Sequence, residues 1–158
     1  MSPEQQKSVR ASAEAWEAIF RAQVKVMREL QKGRAFADLS ISEYDILFNH
    51  KRCPSHTSRL TDLNEHLLMS QPSLSRTAER LEKRGFVTRR KDPNDSRAVL
   101  VSLTEAGLAK KAAVGREHVR HIHRILQPLL SVEQLQQITE LNSIIADADL
   151  SHAAACIE

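Results

Sequence analysis

Glycine, proline and cysteine are all scarce in this chain: four, five and two among 158 residues. So little glycine and proline, with few β-branched runs outside 86–104, predicts a mostly α-helical protein. Cys53 and Cys156 lie far apart and exclude a disulfide scaffold; a reduced, cytoplasmic setting fits them. No apolar run is long enough to cross a bilayer, and the polar opening MSPEQQKSVR lacks the pattern of a secretory signal. Catalytic signatures are missing too. There is no glycine-rich phosphate loop, no activated-serine elbow, and no Cys–His or paired-carboxylate constellation, so neither an enzyme nor a cofactor is expected. His118, His121 and His123 cluster near Glu117, but no cysteine or carboxylate pattern completes a tetrahedral set, so no metal is expected.

What the chain does have is charge in one place. Between Ser70 and Arg97 eight Lys or Arg face four Asp or Glu, a surplus of four, whereas the whole chain carries only +3. A near-neutral body with one basic segment is an electrostatic footprint for phosphate.

Helical periodicity accounts for most of the rest. Ser2-Pro3-Glu4-Gln5 reads as a helix start, and Val9, Ala13, Trp16, Phe20, Met27 and Leu30 then form a long apolar stripe ending near Gly33. A second helix is expected from Ser42 as its cap to Cys53-Pro54-Ser55, and a third, short one from Thr61. Thr104 opens a helix reaching about Gln127, where Pro128 ends or kinks the pattern. Ser131-Val132-Glu133-Gln134 is a capping box that starts a last helix, with Leu135, Ile138, Leu141 and Ile145 on one face.

The stretch from 61 to 104 is the informative one. Leu63–Leu68 is a short apolar-patterned segment, broken at Met69–Ser70. Gln71–Gly85 follows as a polar and basic helix whose thin apolar stripe, Leu74, Ala78 and Leu81, should pack on the preceding helix. Phe86–Lys91 and Ala98–Thr104 read as strands joined by the turn residues Asp92-Pro93-Asn94-Asp95, with Val99, Val101 and Leu103 alternating as on a half-buried ribbon. Helix, turn, helix and a hairpin with arginine at its tip is the layout of a winged helix-turn-helix. Gln71, Pro72, Ser73, Ser75, Arg76 and Arg80 are the helix residues expected to face a major groove, joined by Arg89, Lys91 and Arg97 of the hairpin. An arginine at a wing tip suits the narrow minor groove, and Asp95 is expected to aim Arg97 through an ion pair.

Three linked motifs carry a resemblance. Leu81-Glu82-Lys83-Arg84-Gly85-Phe86-Val87, Asp92-Pro93-Asn94-Asp95-Ser96-Arg97 and Leu103-Thr104-Glu105-Ala106-Gly107 resemble, in order and spacing, the MarR family of bacterial transcription regulators. The resemblance implies a winged helix-turn-helix domain over 40–104, dimerisation helices over 1–33 and 105–150, and a flexible tail over 151–158. It also implies a homodimer on a palindromic operator, most commonly repressing, with DNA affinity altered by a small signal in a cleft. Trp16, Phe20, Tyr44 and Phe48 are the bulky candidates for that cleft, which would suit an aromatic or lipophilic ligand, although aromatics at helical spacing are more often core. Two alternatives stand beside this one: a redox-sensing regulator acting through Cys53 or Cys156, and an architectural protein binding duplex DNA without sequence preference.

Overall fold

The structure is a computed structural model; it describes residues 1–32, 36, 38–50, 56–64, 67 and 69–149. Contacts divide the chain into two units, Met1–His121 and Ile122–Glu158.

The first unit opens with helix α1 (Pro3–Lys32), which at 1.5 Å per residue is about 45 Å long. Ser2 and Gln5 cap it reciprocally: the Gln5 amide donates to Ser2 Oγ at 3.2 Å, and the Ser2 amide donates to Gln5 Oε1 at 2.7 Å. The expected terminator Gly33 lies outside the described residues. Helix α2 (Ile41–Asn49) is capped by Ser40, not by Ser42. The reason is local: three residues beyond Ser40 stands Glu43, whose carboxylate accepts the Ser40 amide at 2.8 Å while its own amide reaches Ser40 Oγ at 3.2 Å. The expected stop at Cys53-Pro54-Ser55 lies outside the described residues.

Strand β1 (Thr57–Arg59) runs directly into helix α3 (Leu60–Asn64), so Thr61 sits inside that helix and does not cap it. Helix α4 (Gln71–Lys83) starts at Ser70, which takes the extended cap conformation but makes no side-chain cap bond; Pro72 lies in its first turn. Leu74, Ala78 and Leu81 are fully buried, as their spacing predicts. Gly85, at φ 75°, turns the chain out of the helix in the left-handed region that glycine enters without strain.

Strands β2 (Val87–Asp92) and β3 (Asp95–Leu103) form the hairpin, but the sheet has three strands in the order β1-β3-β2, all antiparallel. β1 was not legible as a strand; three residues are too few for alternation to register. Val101 faces Ser58 on one side and Arg89 on the other, and it is fully buried. Its same-face neighbours Val99 and Leu103 are half-buried. A register shift between Lys91 and Asp92 marks the start of the turn.

Helix α5 (Glu105–Leu126) leaves the sheet at Thr104, whose Oγ1 accepts the Gly107 amide at 3.0 Å and donates to the Gly85 carbonyl at 2.7 Å. The second unit holds the end of α5 and helix α6 (Val132–Asp147). α5 stops two residues before Pro128, which has no amide to continue the ladder. α6 has its capping box at Ser131 and Gln134. The tail 151–158 lies outside the described residues.

Candidate nucleic-acid interface

α4 turns one face inward and the opposite face to solvent. Gln71, Pro72, Ser75, Arg76 and Arg80 are exposed, and Ser73 is half-buried. Short polar residues at the helix start, where backbone amides are unsatisfied, let a phosphate or base edge come close. On the wing, Arg90, Lys91, Pro93, Asn94, Asp95 and Arg97 are exposed.

Ion pairing sorts the basic residues into two sets. Arg59, from β1, grips Asp92 at the wing turn: Nε donates to Oδ2 at 2.8 Å and a second nitrogen stands 2.8 Å from the same oxygen. Arg89 donates its Nε to Glu82 at 2.8 Å, and its backbone amide reaches the other carboxylate oxygen at 2.9 Å. Lys83 pairs with Glu79 at 2.9 Å. Arg84 meets Asp38 and, at 3.4 Å, the buried Glu43; Lys110 meets Asp38 as well. Arg80 stands 3.6 Å from Glu43 and donates to Thr77 Oγ1 at 3.0 Å. Among the described residues, no carboxylate pairs with Arg76, Arg90, Lys91 or Arg97. These four cations are left to solvent, all on the exposed sides of α4 and the wing.

Three expectations change. Arg89, expected to contact DNA, is half-buried and held by Glu82, so it fastens the wing to α4. Arg80 leans partly on Glu43. The ion pair expected between Asp95 and Arg97 is not formed; Asp95 Oδ1 instead accepts the Arg97 backbone amide at 3.0 Å, closing the turn and leaving the guanidinium free. Sequence reading missed two residues. Arg90 is exposed and unpaired, one position from the chosen Arg89, and strand alternation alone could not say which of the two Glu82 would take. Arg59 braces the wing from a strand that no pattern announced. Asp92 is buried, and the Asn94 amide at 2.9 Å, followed by Arg59, holds its carboxyl below the usual carboxylate range.

The four aromatic candidates for a ligand cleft are not brought together. Trp16 and Phe20 stack on each other along α1, with centroids 6.3 Å apart, and both are mostly exposed. Tyr44 is buried, packed against Phe36 at 5.5 Å and His118 at 5.2 Å, and its phenol is pushed up by burial and then by Asp45. Phe48 stacks on Tyr44 at 5.7 Å and lines a separate cleft. His118 belongs to this aromatic cluster, where burial lowers its pKa. Among the described residues, no group of three or more His, Cys, Asp or Glu could hold a metal ion. Cys53 and Cys156 lie outside the described residues. No described helix is long and apolar enough to cross a membrane.

A three-stranded wing behind a solvent-facing, basic second helix defines a winged helix-turn-helix DNA-binding protein. Residues 39–99 match the model of the MarR family. The chain is 29% identical over 115 residues to the HTH-type transcriptional regulator PecS of Dickeya dadantii, covering 72% of this chain and 69% of PecS. It is 33% identical over 87 residues to the transcriptional repressor MprA of Escherichia coli, covering 54% of this chain but only 49% of MprA. Its fold matches a cysteine-to-serine mutant of E. coli MarR complexed with operator DNA, with TM-score 0.67, 25% identity, and coverage of 82% and 91% of the two chains. Over residues 39–99 the chain is thus similar to the MarR family, and its relatives are named as transcription regulators.

Proposed function

We propose that two copies of this chain bind a palindromic operator and repress transcription until a small effector releases them. The carrying observation is the sorting of charge: around α4 and the wing, acids take up Arg59, Lys83, Arg84 and Arg89, while Arg76, Arg90, Lys91 and Arg97 stay unpaired on the exposed sides. In this reading Gln71, Pro72, Ser73, Ser75 and Arg76 enter a major groove, where arginine makes paired bonds to guanine. Arg97 enters the flanking minor groove, and Arg90 and Lys91 hold phosphates.

Dimerisation is supported by apolar side chains that stay largely exposed among the described residues. Val9, Trp16 and Phe20 on α1 are 57%, 68% and 52% exposed. In the second unit Leu141 and Ile144 on α6 are 64% and 69% exposed. Each large apolar side chain removed from water stabilises by about 1.5–3 kcal/mol, so covering these helices strongly favours a second copy. A two-fold pair would present its recognition helices about 34 Å apart, one turn of DNA. Repression is read from the likeness to MprA, itself named a repressor.

The test is competition for the full chain between duplex from upstream of its own gene and a scrambled duplex, at two salt concentrations. Preference for the upstream duplex, with affinity falling steeply as salt rises, is expected. Equal binding to both sequences would leave only an architectural role.

A further inference from the structure

Helices α1, α2 and α6 each open with a reciprocal cap, and of the three α2 alone closes it with a carboxylate. Gln5 and Gln134 accept the Ser2 and Ser131 amides at 2.7 and 2.9 Å, whereas Glu43 accepts the Ser40 amide at 2.8 Å. A glutamine would cap α2 as well, without the cost of taking a carboxylate out of water. Glu43 is nonetheless buried, its side chain only 8% exposed. Its charge answers to something other than the cap.

That something lies on α4. Glu43 Oε2 faces Arg84 at 3.4 Å, and Oε1 faces Arg80 Nε at 3.6 Å. Arg84 has a second acid in Asp38; Arg80, among the described residues, has Glu43 alone. The Arg80 guanidinium is fixed on two sides, Nε toward Glu43 and Nη2 donating to Oγ1 of the buried Thr77 at 3.0 Å. Thr77 is held in turn, its hydroxyl donating to the Ser73 carbonyl at 2.9 Å. A guanidinium is planar, so fixing two of its nitrogens sets the direction of the third. The Arg80 side chain is still 55% exposed, and it stands one turn beyond Arg76 on the solvent side of α4. Side-chain freedom given up in the free protein is not lost again on binding.

We propose that Glu43 is a positioning residue for DNA binding: it holds Arg80 aimed at a backbone phosphate while itself staying off the duplex. The role rests on α4 being the DNA-reading helix. Arg80 then adds a phosphate contact of fixed direction behind Arg76 and helps set the register of α4 on the operator. The consequence runs against simple electrostatics. Deleting an acid beside a polyanion strengthens binding to any duplex by charge alone. Deleting an acid that aims an arginine weakens binding where the register matters.

Glu43→Gln in the full chain is the variant of choice, because glutamine keeps the capping acceptor, as Gln5 and Gln134 do, and removes the charge. Fluorescence anisotropy on labelled upstream and scrambled duplexes compares the wild type, Glu43→Gln, Arg80→Ala and the double variant. Glu43→Gln should weaken upstream binding about fivefold, the scale of one partly exposed ion pair, and leave scrambled binding equal or tighter. In the Arg80→Ala background it should add no further loss. Equal or tighter upstream binding by Glu43→Gln would overturn the role. So would the same loss on both duplexes, or a loss that persists without Arg80, since either means that α2 has merely loosened against α4. Nitrogen relaxation at Arg80 Nε in the free protein checks the cause without DNA. That group should be ordered in the wild type and mobile in Glu43→Gln; equal order in both would show that Glu43 does not hold it. A wild type with no preference for the upstream duplex sinks the regulator and leaves Glu43 nothing to position. A wild type that discriminates, with Glu43→Gln discriminating as well, sinks this role alone.

Discussion

The carbonyl oxygen of Phe86 occupies the space in which residue 107 would carry a side chain: a Cβ built on Gly107 falls 1.9 Å from that oxygen. The same carbonyl accepts the Thr104 amide at 3.1 Å, so it cannot swing away without breaking the junction of wing and α5. Gly107→Ala should therefore destabilise the fold by roughly 3 kcal/mol, since the obstruction is backbone and not a movable side chain. In a chain of this size that lowers the melting temperature by about 10 °C. A thermal melt checks it, and a wild-type melt would mean the junction yields easily.

Arg59 touches the wing turn from the far edge of the sheet through Asp92. Removing it leaves a buried carboxylate with only the Asn94 amide, so the turn should loosen. Arg59→Ala is expected to speed hydrogen exchange at the amides of 93–97. It should also weaken DNA binding about tenfold, although Arg59 itself is not proposed to touch DNA. Unchanged exchange would remove Arg59 from the wing's support.

Arg97 and Arg76 should fail differently. Arg97→Ala is expected to lower operator affinity at least about tenfold while leaving the melt unaltered, because the side chain is exposed and unpaired. Arg76→Ala should relax base preference at one position, costing about 1–3 kcal/mol of discrimination. Binding to a panel of single-base operator variants reads both effects. A uniform loss across the panel in Arg76→Ala would mark that residue as a phosphate contact.

His50 is fully buried, and neither ring nitrogen has a hydrogen-bond partner among the described residues. Burial first, then Lys111 and His56, lower its pKa from 6.5 to about 4. The folded protein thus holds His50 neutral, while the unfolded chain takes up a proton near pH 6.5. The resulting stability is complete above pH 6.5 and is lost as pH falls toward 4, to a total of roughly 3 kcal/mol. Melts at pH 7.5 and pH 5 should differ in the wild type, and the difference should shrink in His50→Leu. An equal difference in both would assign the acid sensitivity elsewhere.

How far the sequence could be read depended on how local each cause was. The capping boxes at Ser2 and Ser131, and the stripe of Leu74, Ala78 and Leu81, lie within one or two helical turns and were legible. Ser40 outcompeted Ser42 as a cap through a partner only three residues away, so that misplacement was avoidable by weighing Glu43. Arg59 and Asp92 are 33 residues apart, and nothing in the pattern of either segment points to the other. The choice of Glu82 for Arg89 over Arg90 is likewise set by how α4 packs on β2. The aromatics misled for a related reason: helical spacing says which residues share a face, and Tyr44 and Trp16 lie on faces with different neighbours.

The most direct test of α4 and the wing as the DNA-reading surfaces is a hydroxyl-radical footprint of the full chain on its upstream duplex, compared with that of Arg97→Ala. Two protected regions centred about one helical turn apart are predicted, each flanked by minor-groove protection that the variant loses. Continuous protection without that spacing, or flanks unchanged in Arg97→Ala, would contradict the account.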